Sequence, residues 1–197
     1  MVPNDPEAED ARLIARFCSG DTQVFTALVE RHLKLAGAVA YSVTGDFHAS
    51  RDVVQESFLK VYQSLASVKE PDKFKSWLRN VVRTTALDWR RRNKRGVQSL
   101  DALETEEAGP EAPDAGPAEQ VTDKDELRRK VREEIEKLPE SHREVVALKY
   151  IDGRSYEEIG ALTGLSQATI ESRLFRARQK LKSRFERILG PGNQIKL

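Results

Sequence analysis

The sequence predicts an all-α protein: two helical domains joined by a flexible acidic linker, the second ending in a helix-turn-helix. Three observations support this. The chain is 33% charged, only 7% aromatic and holds 11 glycines in 197 residues, a composition that favours helices. Apolar residues recur at helical spacing on both sides of a stretch, about 96 to 122, where the pattern vanishes. Residues 155 to 187 read as a short capped helix, a glycine turn and a longer, increasingly basic helix.

In chain order, a short helix is expected over 8 to 18, ending before Gly20. Asp21 is expected to cap the next, whose apolar face is Phe25, Leu28, Val29, Leu35, Ala36, Val39 and Val43. A third helix, about 50 to 66, buries Val54, Phe58, Val61, Tyr62 and Leu65. After a loop containing Pro71, a fourth runs from about 73 to 94 and buries Phe74, Trp77, Leu78, Val81, Val82 and Trp89. Each large apolar side chain buried contributes ~1.5–3 kcal/mol, enough for this lobe to fold alone.

From 96 to 122, Pro110, Pro113, Pro117, Gly109 and Gly116 stand among acids, with little to bury; this is the tether. The second lobe has helices at about 123 to 137 and 140 to 151, a turn at Asp152-Gly153, then the helix-turn-helix. There, Ser155 with Glu158 forms a capping box, Ile159 and Leu162 share one face, and Gly164 stands at the turn. Ser166 caps a second helix that buries Ile170, Leu174, Ala177 and Leu181. That leaves Gln167, Thr169, Ser172, Arg173 and Arg176 outside, the side chains that hydrogen-bond to base edges and phosphates in a major groove.

The formal net charge is only +1, so the charge signal lies in its segregation. Residues 75 to 95 carry eight basic groups against Asp88 alone, and 97 to 122 carry seven acids and no basic group. From Arg173 to Arg187 the basic residues face Glu186 alone. One-sided charge repels itself unless a polyanion is the partner. Lys75, Arg79, Arg83, Arg90 and Lys94 form a stripe on the fourth helix, closed by the run R-R-R-N-K-R. The helix dipole accounts for ~0.3–1 kcal/mol of such a run, so a second nucleic-acid contact is the better reading. On the third helix, Asp52, Glu56 and Gln63 taken alone read as a solvated stripe.

Catalytic patterns are absent. His32, His48 and His142 lack metal-ligand spacing, and there is no phosphate-binding glycine loop, so neither catalytic residue, metal nor cofactor is expected. The single cysteine, Cys18, excludes an internal disulfide and is expected to be a partly buried structural residue. No apolar run reaches the ~18 residues of a membrane span, and the acidic amino terminus is unlike a signal peptide, so a cytoplasmic protein without membrane insertion is expected.

Together these segments resemble the extracytoplasmic-function sigma factors of bacterial RNA polymerase, within the sigma-70 superfamily. D-V-V-Q-E-S-F-L-K-V-Y-Q-S-L (Asp52 to Leu65) resembles the family's polymerase-clamp-binding segment. F-K-S-W-L-R-N-V-V-R-T-T-A-L-D-W-R-R-R (Phe74 to Arg92) resembles the segment beside the melted promoter element. L-P-E-S-H-R-E-V-V-A-L and the helix-turn-helix complete the pattern in the right order. The resemblance implies a region 2 domain (1–95), a flexible linker (96–122) and a region 4 domain (123–197).

It also implies roles and partners. Asp52, Gln55, Glu56, Phe58 and Tyr62 would bind core RNA polymerase, at the clamp of the β′ subunit, with the β flap a further contact. Lys75, Trp77, Arg79, Asn80, Arg83, Thr84, Arg90 and Arg91, with the loop at 67 to 73, would hold the −10 element. The helix-turn-helix, about Tyr156 to Phe175, would read the −35 element of promoter DNA with Gln167, Thr169, Glu171, Ser172, Arg173, Phe175, Arg176 and Arg178. Phe175 would pack on the backbone or on a thymine methyl. The tether would thread toward the RNA exit channel, and an anti-sigma factor would hold the free protein. Thr84 stands where the family often has Asn. Glu171 stands where many relatives carry a basic residue, and would accept from cytosine N4 or repel phosphate. Two rivals remain at this point. One is a stand-alone helix-turn-helix regulator whose first lobe dimerises or senses a ligand; the other is a nucleic-acid-processing enzyme holding Mg²⁺ through Asp52 or Glu56.

Overall fold

The computed structural model describes residues 6–101 and 123–189. The order is α1 (Pro6–Cys18), α2 (Val24–Thr44), α3 (Phe47–Ser64), short 3-10 turns at Leu65–Ser67 and Pro71–Lys73, α4 (Phe74–Asp101), α5 (Asp123–Glu136), α6 (Glu140–Tyr150), α7 (Tyr156–Thr163) and α8 (Gln167–Leu189). Every helix expected from periodicity is present. Helix α4 runs to Asp101, into the segment read as tether; residues 102–122 lie outside the described residues.

Helix starts differ from expectation in instructive ways. Asp21 does not cap α2: the N-cap is Gln23, without a side-chain hydrogen bond, and the Asp21 carboxylate accepts instead from Arg16 Nη2 at 2.6 Å. A guanidinium within reach outcompetes a backbone amide for that carboxylate. The cap of α3 is Asp46, whose Oδ1 accepts the Ala49 N–H at 2.6 Å, so this helix starts earlier than its apolar pattern suggests. Cys18, expected to be partly buried, ends α1 with its side chain exposed.

Helix α2 is the hub, packed by α1, α3, α4 and α6. Its Leu28, Leu35, Val39 and Val43 are buried, with Phe74, Leu78 and Val82 of α4 and Val53 and Val61 of α3. A polar group lies inside this core. His32 is 2% exposed, with Nε2 3.0 Å from the Asp10 carboxylate, and Arg31 Nε donates to the same carboxylate at 2.9 Å. Burial pushes the Asp10 carboxyl up, but its contacts with His32 and Arg31 outweigh that and hold it below its ordinary value. The cluster ties α1 to α2, and the His32 ring meets Phe74 edge-on at 5.2 Å.

In the second lobe Ile159, Ile170, Leu174 and Ala177 are fully buried. The capping box forms as its spacing requires: Glu158 N–H donates to Ser155 Oγ at 3.1 Å, and Ser155 N–H to Glu158 Oε2 at 2.8 Å. Gly164 takes φ +73°, the left-handed turn that ends α7. Ser155→Ala is expected to cost about 1 kcal/mol, read as a lower denaturant midpoint with unchanged slope.

The lobes are packed on each other. Helix α6 lies against α2, and one continuous apolar cluster runs through both. Arg143 of α6 is 8% exposed; its Nε donates to the Ser42 carbonyl and its Nη1 to the Glu136 carbonyl, both at 2.7 Å. The guanidinium fits beside Gly45, which ends α2 at φ +73°. A β-carbon there would come within 2.7 Å of Arg143 Nη1. Among the described residues no helix is long and apolar enough to cross a membrane.

Candidate nucleic-acid and polymerase interfaces

Helix α8 turns its apolar side to α6 and α7 and its polar side outward. Thr169, Ser172, Arg173 and Arg176 fall along one outer stripe at helical spacing, with Gln167, Glu171 and Phe175 flanking it. Thr169 N–H donates to Ser166 Oγ at 3.3 Å, which places this stripe at the helix start. Gln167 Nε2 donates to Glu171 Oε1 at 2.8 Å, so the acid that departs from the basic pattern is held by its neighbour. The Phe175 ring is 61% exposed. Arg178 follows Glu171 by two turns, on the flank that Gln167 and Glu171 form, and its Nε is buried.

The residues expected to meet the −10 element divide between two faces of α4. Asn80, Thr84 and Arg91 are exposed, with Trp77 half-buried against the Phe74 ring at 5.8 Å. Lys75, Arg79, Arg83 and Arg90 form the other stripe, turned toward the second lobe. Three of its guanidiniums are taken up there. Arg79 pairs with Glu144 through side chains only 12% and 8% exposed. Arg83 and Arg90 grip the two oxygens of Glu140 at 2.8 and 2.7 Å. Burial raises the Glu140 carboxyl, but hydrogen bonds from Arg90 and Arg83 prevail and hold it below its usual range. Lys94 lies beyond the residues whose side chains are described.

On α3, Asp52, Gln55 and Tyr62 form an outward face. Tyr62, expected to be buried, is 42% exposed, its ring packed edge-on against Phe25 at 5.0 Å. Leu59, which periodicity did not single out, is 59% exposed on the same face. Phe58 is instead 8% exposed and belongs to the core, so it supports the face from beneath. Glu56 accepts from Lys60 at 2.7 Å and Arg92 at 2.9 Å, and the Lys60 hydrogen bond leads in holding its carboxyl low.

Between the lobes lies an apolar hollow of about 540 Å³, lined by Leu33, Tyr41, Phe47, Val54, Ile135 and Ile151 among others. Leu33, Phe47 and Ile151 are about half exposed there. Burial pushes the Tyr41 hydroxyl up to about 12.

Comparison with known proteins agrees with this geometry. The family descriptions "Sigma-70 region 2" and "Sigma-70, region 4" match residues 28–96 and 128–181. The ECF RNA polymerase sigma-E factor of Salmonella typhimurium (strain 14028s) is 36% identical over 186 residues, covering 91% of this chain and 96% of that protein. A probable RNA polymerase sigma factor, RfaY of Xanthomonas campestris pv. campestris, is 33% identical over 84% of this chain, which spans only 41% of that longer protein. Among solved structures, CnrH in complex with the cytosolic domain of CnrY aligns with TM-score 0.61 and 28% identity, over 90% of this chain and 97% of CnrH. The sigma factor RpoE of Bartonella quintana, in complex with the anti-sigma factor NepR, shares the fold with TM-score 0.57 and 24% identity, over 86% and 98% of the two chains. A helical pair of lobes, a basic α4 and a polar-faced α8 in a chain so related have one meaning: the protein belongs to the extracytoplasmic-function sigma factors, the alternative sigma factors that direct bacterial RNA polymerase to promoters.

Proposed function

We propose a division of labour within that role. The first lobe (1–95) grips core polymerase through the α3 face of Asp52, Gln55, Leu59 and Tyr62, over the clamp of β′. It holds the −10 element along α4 and the 67 to 73 loop. The second lobe (123–197) docks near the β flap and reads the −35 element through Gln167, Thr169, Ser172, Arg173 and Arg176. Residues 96–122 tether the two. The outward polar stripe of α8, set on an apolar inner side, carries this reading. Opening the promoter requires no catalytic group or cofactor, because binding the extruded strand offsets a few kcal/mol of unstacking.

The free protein, on this reading, rests closed. Glu140 and Glu144 occupy guanidiniums that the melted strand would use, so productive assembly on polymerase separates the lobes. The apolar hollow between the lobes suits the nonpolar face of an anti-sigma helix, which would stabilise the closed form.

Run-off transcription from a genomic fragment library, with core polymerase and with or without this chain, tests the scheme and yields the promoter sequences. Discrete new transcripts are expected only with the chain present. In binding assays on those promoters, Arg176→Ala is expected to cost ~1–3 kcal/mol on the cognate upstream element and less on a scrambled one. Equal losses on both would restrict Arg176 to phosphate contact.

A further inference from the structure

Beside the base-reading stripe, an open hollow is lined by His142 of α6 and by Phe175, Arg176, Gln179 and Lys180 of α8. No carboxylate lines it. Arg176 and Lys180 lie one turn apart, and Arg173 precedes them by one turn, so three cations run along the edge that His142 joins from the neighbouring helix. Ser141 Oγ lies 3.4 Å from His142 Nδ1. Protonating an imidazole beside a row of cations is unfavourable in the free protein, and becomes favourable when an anion is placed among them.

We propose that His142 and Lys180, beside the base-reading Arg176, form a binding site for a DNA backbone phosphate flanking the bases that α8 reads. The site rests on the reading of α8 as the −35 helix and adds a contact from outside the helix-turn-helix. Phe175, 61% exposed at the rim, shields one side of the phosphate from water. Because a phosphate contact is indifferent to sequence, the site sets register and affinity and leaves base choice to the stripe.

The charge surroundings give the site a pH signature. Burial first, then Lys180, Arg173 and Arg176, hold the His142 imidazole below its ordinary value, so it is neutral in the free protein near neutral pH. A bound phosphate opposes those cations and raises the imidazole's affinity for a proton. Between the free and bound values each binding event takes up a proton, so affinity rises as pH falls, by at most about tenfold per pH unit for one linked group.

The test uses holoenzyme assembled from core polymerase and the full chain, on promoter DNA recovered by run-off transcription. From about pH 7.5 to about 6.0, wild type is expected to gain roughly three- to tenfold more affinity than His142→Gln, equally on cognate and scrambled upstream sequence. His142→Lys, charged throughout, is expected to bind tightly with a flat profile. A glutamine variant that keeps the full wild-type pH dependence overturns the site while leaving the α8 reading intact. Undiminished cognate binding by Arg176→Ala overturns the α8 reading, and the site with it.

Discussion

Replacing Glu140 and Glu144 together by glutamine is expected to part the two lobes without unfolding either. The Arg79–Glu144 pair is nearly excluded from water, and removing one partner of such a pair costs ~3–5 kcal/mol because the other charge stays buried. Arg83 and Arg90 are about a third exposed, and each of their pairs with Glu140 contributes only ~0–1 kcal/mol. Opening relieves the cost by returning Arg79 to water. The expected readout is a larger radius of gyration in small-angle scattering and tighter binding of the free chain to nonspecific DNA, since three guanidiniums are released. An unchanged radius would sink the clasp. Acid should act in the same direction. Glu140 has its carboxyl held low in the closed form, so it stabilises that form above the ordinary carboxylate value. This contribution is lost as pH falls below the ordinary carboxylate range and through the depressed value.

Phe74→Ala is expected to cost ~3–5 kcal/mol, the range for deleting a fully buried phenylalanine. The ring is 1% exposed, meets His32 edge-on and lies 5.8 Å from Trp77. It stands where the 67 to 73 loop becomes α4, beside the Asp10–His32 contact. The cavity would therefore loosen α1, α2 and the start of α4 together. Calorimetry should show a melting temperature lower by on the order of 10 °C for a chain of this size. A drop of only a degree or two would mean that the surrounding side chains collapse into the space.

The helices were legible because their apolar residues repeat at helical spacing in uninterrupted runs, and the Ser155–Glu158 box marks one start without ambiguity. Starts marked by a lone aspartate were not. Asp21 and Asp46 both precede apolar runs, and only the structure shows that Arg16 claims the first while the second caps α3. On the interfaces, periodicity found the outward stripe of α8, whereas only the structure shows that the Nε of Arg178, on its flank, is buried. Tyr62 was misjudged, and Leu59 passed over, because period alone does not say where a core stops and an exposed face begins. The lobe closure was beyond sequence: Arg79 and Glu144 are 65 residues apart, and nothing local names either as the other's partner. His32 likewise drew notice only as a candidate ligand, although its use is to join three helices inside the core.

Gly45 carries a consequence beyond ending a helix. Its bare α-carbon leaves the notch through which a charged arm of the far lobe reaches the end of α2. One missing methyl group therefore governs both where that helix stops and whether the halves can latch. Any larger residue there would have to be accommodated twice, once by the backbone and once by the arm it displaces, so resting shape and local fold cannot drift independently at this position.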